Sequence, residues 1–374
     1  MIHDTERGTK VARMEDLPTP ALVVDGEVAR RNVNRLADYA KRHGLDVRPH
    51  TKTHKSRVLA KLQLEAGAIG LTVAKVGEAE EMAGASDDVL MAYPAIDPSR
   101  CGRLARLAQT KTIRVAVDSD VAVESLSRAA GAASSTIGLL VDVDVGMGRT
   151  GLSSAAAALA LAQKISKTPH TRLEGILCYP GHIWATAEQQ AGPLAAVAAR
   201  LEEVIELWEK HGLAAPIVSG GSTPTALRSH LVRHYTEIRS GTYIFNDMNT
   251  LRGGYCSLED CAARIVCTVV SNVVDNQVIL DGGTKTFTSD LCIPDKQSGH
   301  GLIVEYPEAK IAILSEEHAQ VDVSRCERKP KIGERVTVVP NHICPCVNLR
   351  DAFWLAEPDG SLRQIVVDAR GRLS

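Results

Sequence analysis

The feature that most constrains the fold of this chain is a rhythm. Between about residues 46 and 245, short β-branched or apolar runs alternate with longer amphipathic or alanine-rich stretches, the pattern of βα units. The runs "DVRPHT", "AIGLTVA", "DVLMAY", "TIRVAVD", "IGLLVDVD", "EGILCY", "APIVSGG" and "EIRSGTYI" read as eight strands. Between them, stretches such as "SRVLAKLQLEAG", "GEAEEMAG" and "GPLAAVAARLEEVIELWEKHG" read as helices, the last with apolar residues at helical spacing and a closing glycine. Eight repeats in so short a span favour a (β/α)₈ TIM-type barrel over an open doubly wound sheet. After about residue 255 the pattern changes to "ARIVCTVVSNV", "NQVILDGG", "KIAILSEEHAQVDV" and "GERVTVVPN", strands joined by short turns. The expectation is an α/β chain: a barrel over 25–252, a C-terminal mostly antiparallel β domain over 253–374, and an N-terminal segment 1–24 that joins the β domain.

With 374 residues the chain can bury a substantial core. Its 43 Lys plus Arg against 45 Asp plus Glu leave a charge of -2, so no net field points to a nucleic-acid or membrane partner. The stretch "MIHDTERGTKVARMEDLPTP" has no apolar signal core, and no uninterrupted apolar run reaches the roughly 18 residues of a membrane span. A soluble cytoplasmic protein is expected. Nine cysteines, an odd number scattered along the chain, suit reduced thiols or metal ligands better than a disulfide framework.

Barrel enzymes place their chemistry at the carboxyl ends of the strands. "RPHTKTHK" closes the first strand, "VDVDVGMGRTG" the fifth, "LCYPGH" the sixth, "VSGGSTP" the seventh and "IRSGTY" the eighth. Gly220, Gly221, Ser222, Gly241 and Thr242 are candidates for a phosphate site, because bare backbone N–H groups can approach the oxygens closely. Two ordinary glycine turns are the alternative. A first-strand lysine facing such a site could form a Schiff base with a phosphorylated aldehyde, its pKa lowered by Arg48, His50, His54 and Lys55. Taken alone, the octet also reads as a solvated basic loop.

The set "TPALVVD", "RPHTKTHKS", "GAIGLTVAKVGEAEEM", "DVLMAYP", "VDVGMGRTG", "YPGH", "SGGSTP", "RSGTYIF" and "PNHICPCVNLRD" resembles the pyridoxal-phosphate (PLP) enzymes of the alanine racemase-like fold, fold-type III. The resemblance is to their D-threonine aldolase and D-serine dehydratase branch, and it runs along nearly the whole chain. It implies that Lys52 in "HTK" carries the cofactor and that His54 is the base for the substrate hydroxyl. It also implies that Arg149 lies near the cofactor's phenolic oxygen, Tyr179 beside the pyridine ring and Arg239 opposite the pyridine nitrogen. His342 and Cys344 in "HIC" match the family's two protein ligands for a divalent metal. On an extended segment that spacing would point both side chains the same way. Cys346 is a competing ligand on the same face. "DGGTKTFTSD" reads as a plain turn, with Lys285 and Asp290 lining the mouth as the alternative, and His182 and His318 as histidines that could approach the site.

The implied activity is a PLP- and metal-dependent lyase acting on β-hydroxy D-amino acids, working as a homodimer. If Lys52 takes the α-proton, water is lost and a keto acid and ammonia follow, as in D-serine dehydratase. If His54 takes the hydroxyl proton, the α–β bond breaks to glycine and an aldehyde, as in D-threonine aldolase. Thiolate plus imidazole favours zinc over manganese, and within the resemblance His-x-Cys looks like the dehydratase members, so the balance leans to dehydration. An amino-acid racemase, which needs no metal, and a non-catalytic PLP carrier are the other readings; carriers of that kind resemble a bare barrel without the β domain.

Overall fold

In the computed structural model, which describes residues 10, 11 and 13–374, the chain divides into two compact units. One comprises Val33–Lys52, Arg57–Gly241 and Gly371–Ser374; the other collects the N-terminal residues as far as Asn32 with Thr53–Ser56 and Thr242–Arg370. Of the expected N-terminal segment, residues 1–9 and 12 lie outside the described residues.

The first unit is the expected barrel. Its eight strands are Asp46–Val47, Leu71–Val73, Asp88–Met91, Thr112–Val117, Ile137–Asp142, Thr171–Leu177, Ile217–Gly220 and Glu237–Ile238. Each pairs in parallel with its neighbours in chain order, and the eighth pairs back onto the first through Glu237–Asp46 and Ile238–Val47. The first and second strands meet through a bridge between His50 and Thr72, where the Thr72 amide donates to the Pro49 carbonyl at 2.9 Å. The first ladder is short because Pro49 has no N–H to give and the chain then tightens into a 3₁₀ turn, Thr51–Thr53.

Inside the barrel, Leu90, Ala116, Leu140 and Leu177 form an apolar layer. A second set of interior side chains is ionic. Arg48 Nε donates to both oxygens of Glu237 at 3.0 and 2.9 Å, and its Nη1 reaches Asp88 at 2.5 Å; Arg114 bonds the same Asp88 oxygen and also Glu174. Gly70 and Gly138 make room for these groups. A Cβ at Gly70 would meet the Arg48 guanidinium at 2.3 Å, and one at Gly138 would meet the Glu174 carboxylate at 2.5 Å. Each buried charge has an opposite partner, the condition under which burial is tolerated.

The second unit holds a mostly antiparallel sheet. From Lys10–Val11 it runs through Leu362–Val366, Ala352–Ala356, Ala21–Asp25, Ala263–Ser271, Gln277–Leu280 and Ala319–Asp322 to Lys310–Leu314. Arg335–Val339 pairs with Ala263–Ser271 and with Leu302–Ile303, and Ala21–Asp25 runs parallel to Ala352–Ala356. Ala352–Ala356 buries alternate residues, as a half-buried strand should, and Leu17, Ala21, Val23, Val266 and Leu362 pack one core of this unit.

Two short helices depart from the expected strands and turns: Thr284–Phe287 within "DGGTKTFTSD" and Ile343–Asn348 within "HICPCVN". His342 and Cys344 therefore do not share an extended segment. His342 is the extended residue preceding a helix, and Cys344 lies in its first turn. Asp247 starts that helix by accepting the Ile343 N–H at 3.2 Å, and Pro345 sits at its third position, where a missing N–H costs nothing.

Candidate active site

At the carboxyl ends of the barrel strands lies a cavity of about 270 Å³, near the lower end of the roughly 300–1,000 Å³ usual for small-molecule sites. Lys52, His50, Asp142, Arg149, Tyr179 and Arg239 line it, contributed by the first, fifth, sixth and eighth βα turns. Thr51 and Thr53 are buried on either side of Lys52, which leaves the lysine as the exposed side chain of its turn. Arg149 stacks its guanidinium 4.9 Å from the centre of the Tyr179 ring. Arg239, 5% exposed, donates from Nη1 to Ser219 Oγ and from Nη2 to the Cys178 carbonyl, each at 2.7 Å. An amine, two guanidiniums and a phenol around so small a cavity suit a compact anionic aromatic cofactor.

The cations expected around Lys52 are not all charges on the cavity. Arg48 is neutralised by Glu237 and Asp88. His50 is pushed well below the usual imidazole range, first by burial and then by the charges of Lys52 and Arg239, so it stays neutral. Asp142 was not singled out in the sequence. Burial raises its carboxyl to about 6 against a hydrogen bond from Thr150 and the charge of Arg239. Its signal was its position, at the end of the fifth strand in "VDVDVGMGRTG".

The glycine clusters follow the seventh and eighth strands of the barrel. Gly220 packs against the Tyr235 ring, Gly221 takes a left-handed φ of 83° that suits a residue without Cβ, and the Ser222 hydroxyl bonds Thr225 Oγ1 at 3.0 Å. Gly241 ends the barrel unit in sequence, and Thr242 begins a stretch of the second unit.

In the second unit, Thr242 Oγ1 stands 3.6 Å from Cys344 Sγ, and the Cys344 thiol donates to Thr53 Oγ1 at 3.3 Å. Burial would raise the Cys344 thiol, but a hydrogen bond and charge from His342 outweigh it and favour the thiolate. His342 is correspondingly pushed up to about 9: burial opposes this, and Cys344, Asp247 and Asp290 prevail. His342 Nδ1 is bonded to Asp290 Oδ2 at 2.7 Å, which leaves Nε2 for a metal. Cys346 faces elsewhere. Its buried thiol donates to the carbonyls of Phe287 and His342, and burial pushes its pKa up. Among the described residues no three His, Cys, Asp or Glu side chains converge as a metal cage. A two-ligand site with imidazole and thiolate remains a chemically sound fit for a catalytic zinc that keeps open positions.

His54 is fully buried, with Phe245 edge-on at 6.4 Å, and its Nδ1 accepts the Ser56 amide at 3.1 Å. Lys285 pairs with Glu316 and Glu317, and His318 is exposed in a turn between two strands. His182 packs against Gly146, in the loop where Asp144 accepts the Gly146 and Gly148 amides. All nine cysteines are free thiols, and no helix among the described residues is long and apolar enough to cross a membrane.

Residues 24–249 match the family model of the alanine racemase N-terminal domain, and residues 262–356 that of a serine dehydratase domain. The chain belongs to the alanine racemase-like, fold-type III PLP enzymes. Within that family it falls in the D-threonine aldolase and D-serine dehydratase branch and is a PLP-dependent lyase of that type. It is 31% identical to the D-threonine aldolase of Arthrobacter sp., over 97% of this chain and 95% of that one. The solved D-threonine aldolase from Filomicrobium marinum superposes with a TM-score of 0.91 at 26% identity, covering 98% of this chain and 99% of the other. The D-threo-3-hydroxyaspartate dehydratase from Delftia sp. HT23 gives 0.88 at 27% identity, covering 95% and 99%. Solved forms of such a dehydratase include a histidine-to-alanine variant and, two positions further on, a cysteine-to-alanine variant in the metal-free form.

Proposed function

We propose that this enzyme removes water from a β-hydroxy D-amino acid, giving a keto acid and ammonia, with PLP held in the barrel over 25–252 and a divalent metal, zinc before manganese, held by the β domain over 253–374. The observation that carries this is the pair His342 and Cys344, whose thiol is bonded to Thr53, the residue next in the chain to Lys52. Thiolate plus imidazole is a soft donor set that suits zinc. The His-x-Cys spacing also recurs in the dehydratase whose cysteine variant is metal-free.

Bound PLP supplies an electron sink for the carbanion at Cα, and the metal a Lewis acid for the departing hydroxyl. Lys52 would hold the cofactor through its aldehyde and would serve as the base for the substrate's α-proton. Arg149, stacked on Tyr179, would present a cation near the cofactor's phenolic oxygen, and Arg239, held by Ser219 and the Cys178 carbonyl, would face the ring nitrogen. Gly220, Gly221, Ser222, Gly241 and Thr242 are proposed as the phosphate cradle. His54 bears on which bond breaks. A backbone amide can only donate, so the Ser56 N–H occupies the Nδ1 lone pair. With one of its two ring nitrogens engaged in this way, His54 is a poorer base for the substrate hydroxyl, and this supports elimination. The same proposal has the enzyme acting as a homodimer in the cytoplasm, without nucleic-acid or membrane partners.

Aldol cleavage is the second reading, favoured by the 31% identity to a D-threonine aldolase. Incubation with D-serine, D-threonine and D-threo-3-hydroxyaspartate, with keto acid and glycine assayed separately, decides between them. Keto acid and ammonia without glycine are expected. Glycine and an aldehyde as the main products would replace dehydration by the aldolase reading.

A further inference from the structure

We infer that Asp290 is a positioning residue for the metal, acting through His342. "DGGTKTFTSD" reads in sequence as a plain turn, yet its last residue is held by two successive residues of the metal segment. Asn341 Nδ2 donates to the Asp290 carbonyl at 3.0 Å, and the Asp290 carboxylate bonds His342 Nδ1 at 2.7 Å. Asn341 is itself fixed. It is 2% exposed, donates also to the Gly299 carbonyl at 2.8 Å, and its own carbonyl accepts Asn249 Nδ2 at 2.8 Å. The Asp290 amide meets Thr288 Oγ1 at 3.2 Å, and Thr288 takes a left-handed φ of 64°, a conformation a β-branched residue adopts only when its surroundings impose it. The loop is thus built to deliver one carboxylate to one ring nitrogen.

The chemical consequence follows from the two nitrogens of imidazole. A carboxylate accepts only, so Nδ1 carries a proton whether or not the ring is charged, and Nε2 is the nitrogen that gives up its proton to take a cation. The negative charge also makes the ring a stronger donor, as carboxylates behind metal-bound histidines do. Asp247 acts on the same ligand set from the other side. Buried at 1% exposure, it holds the Ile343 and Thr250 amides, each at 3.2 Å, and so fixes where the helix carrying Cys344 begins. Asp247 sets the backbone, and Asp290 sets the ring.

The inference rests on His342 and Cys344 being the metal ligands, and the test separates the two. Zinc affinity of the full-length PLP-loaded protein is measured by competition with a chromogenic chelator, alongside the visible absorbance of the lysine-bound cofactor. Asp290→Ala should weaken zinc binding by roughly 10–100-fold with the cofactor absorbance unchanged. Asp290→Asn, which keeps an acceptor but no charge, should fall between that variant and the native protein, and excess zinc should restore turnover to both. Native zinc affinity in Asp290→Ala, while His342→Ala loses the metal, would overturn the role of Asp290. Native affinity in His342→Ala would overturn the ligand assignment and the inference with it.

Discussion

Two arginines inside the barrel, Arg48 and Arg239, are buried to almost the same degree, at 2% and 5% exposure, yet their pKa values move in opposite directions. Burial alone would pull Arg48 down, but the Glu237 and Asp88 carboxylates reverse the shift and raise it. Burial pulls Arg239 down and is only partly offset, because its direct partners are the neutral Ser219 hydroxyl and Cys178 carbonyl. Ser219 stands between the two environments, donating to Glu237 at 2.5 Å while it accepts from Arg239. The difference teaches how the barrel allots charge. Among the interior ion pairs each cation is matched by carboxylates. At the mouth, cations are oriented by dipoles, so that their field reaches the cavity instead of being cancelled.

The sharpest way to break this comparison is at the mouth. Lys52→Ala should abolish the visible absorbance of the bound cofactor and lower kcat on the order of 10³-fold or more, whereas Lys55→Ala should keep the absorbance. A spectrum that survives Lys52→Ala and is lost in Lys55→Ala would mean that the wrong lysine had been assigned. Among the ion pairs the opposite profile is expected. Arg48→Met leaves Glu237 and Asp88 without their central partner and should cost about 3–5 kcal/mol of stability. Chemical denaturation would reveal it. A variant as stable as the native protein would remove the distinction between the two arginines.

Why some of this is legible in the sequence and some is not has physical causes. The eight barrel strands are readable because a parallel strand buried on both faces must be an apolar run, and Ile137–Asp142 is buried throughout. Lys52, Arg149, Tyr179 and Arg239 are readable as a set because a barrel brings the ends of its strands to one face, and they do line one cavity. Arg48 looks in sequence like part of a basic patch, since nothing local reveals that Glu237, 189 residues away, will neutralise it. The helix at Ile343 is hidden for the same reason. Its first N–H is satisfied by Asp247, 96 residues earlier, and a six-residue helix leaves no periodicity to read. The pairing of Asp290 with His342 is the least legible feature, because the two meet across 52 residues of loop and strand.

Asp142 tests the comparison at its most delicate point, as a carboxyl at the mouth that burial holds at about 6 in place of its ordinary 3.8. A carboxyl raised on folding binds its proton more tightly in the native state, so its contribution to stability is fully present below pH 3.8 and is lost as pH rises through about 6. Asp142→Asn cannot ionise and should escape that loss. Relative to the variant, the native protein without cofactor should therefore lose on the order of 2–3 kcal/mol between pH 4 and pH 7, a shift of about two units at roughly 1.4 kcal/mol each. Thermal melts of both proteins across that range supply the measurement. Parallel pH profiles would mean that Arg149 and Arg239 already compensate the carboxylate, which would make the mouth no different from the ion pairs of the barrel interior. Diverging profiles would mean that the carboxylate stands at the mouth without a full counter-charge.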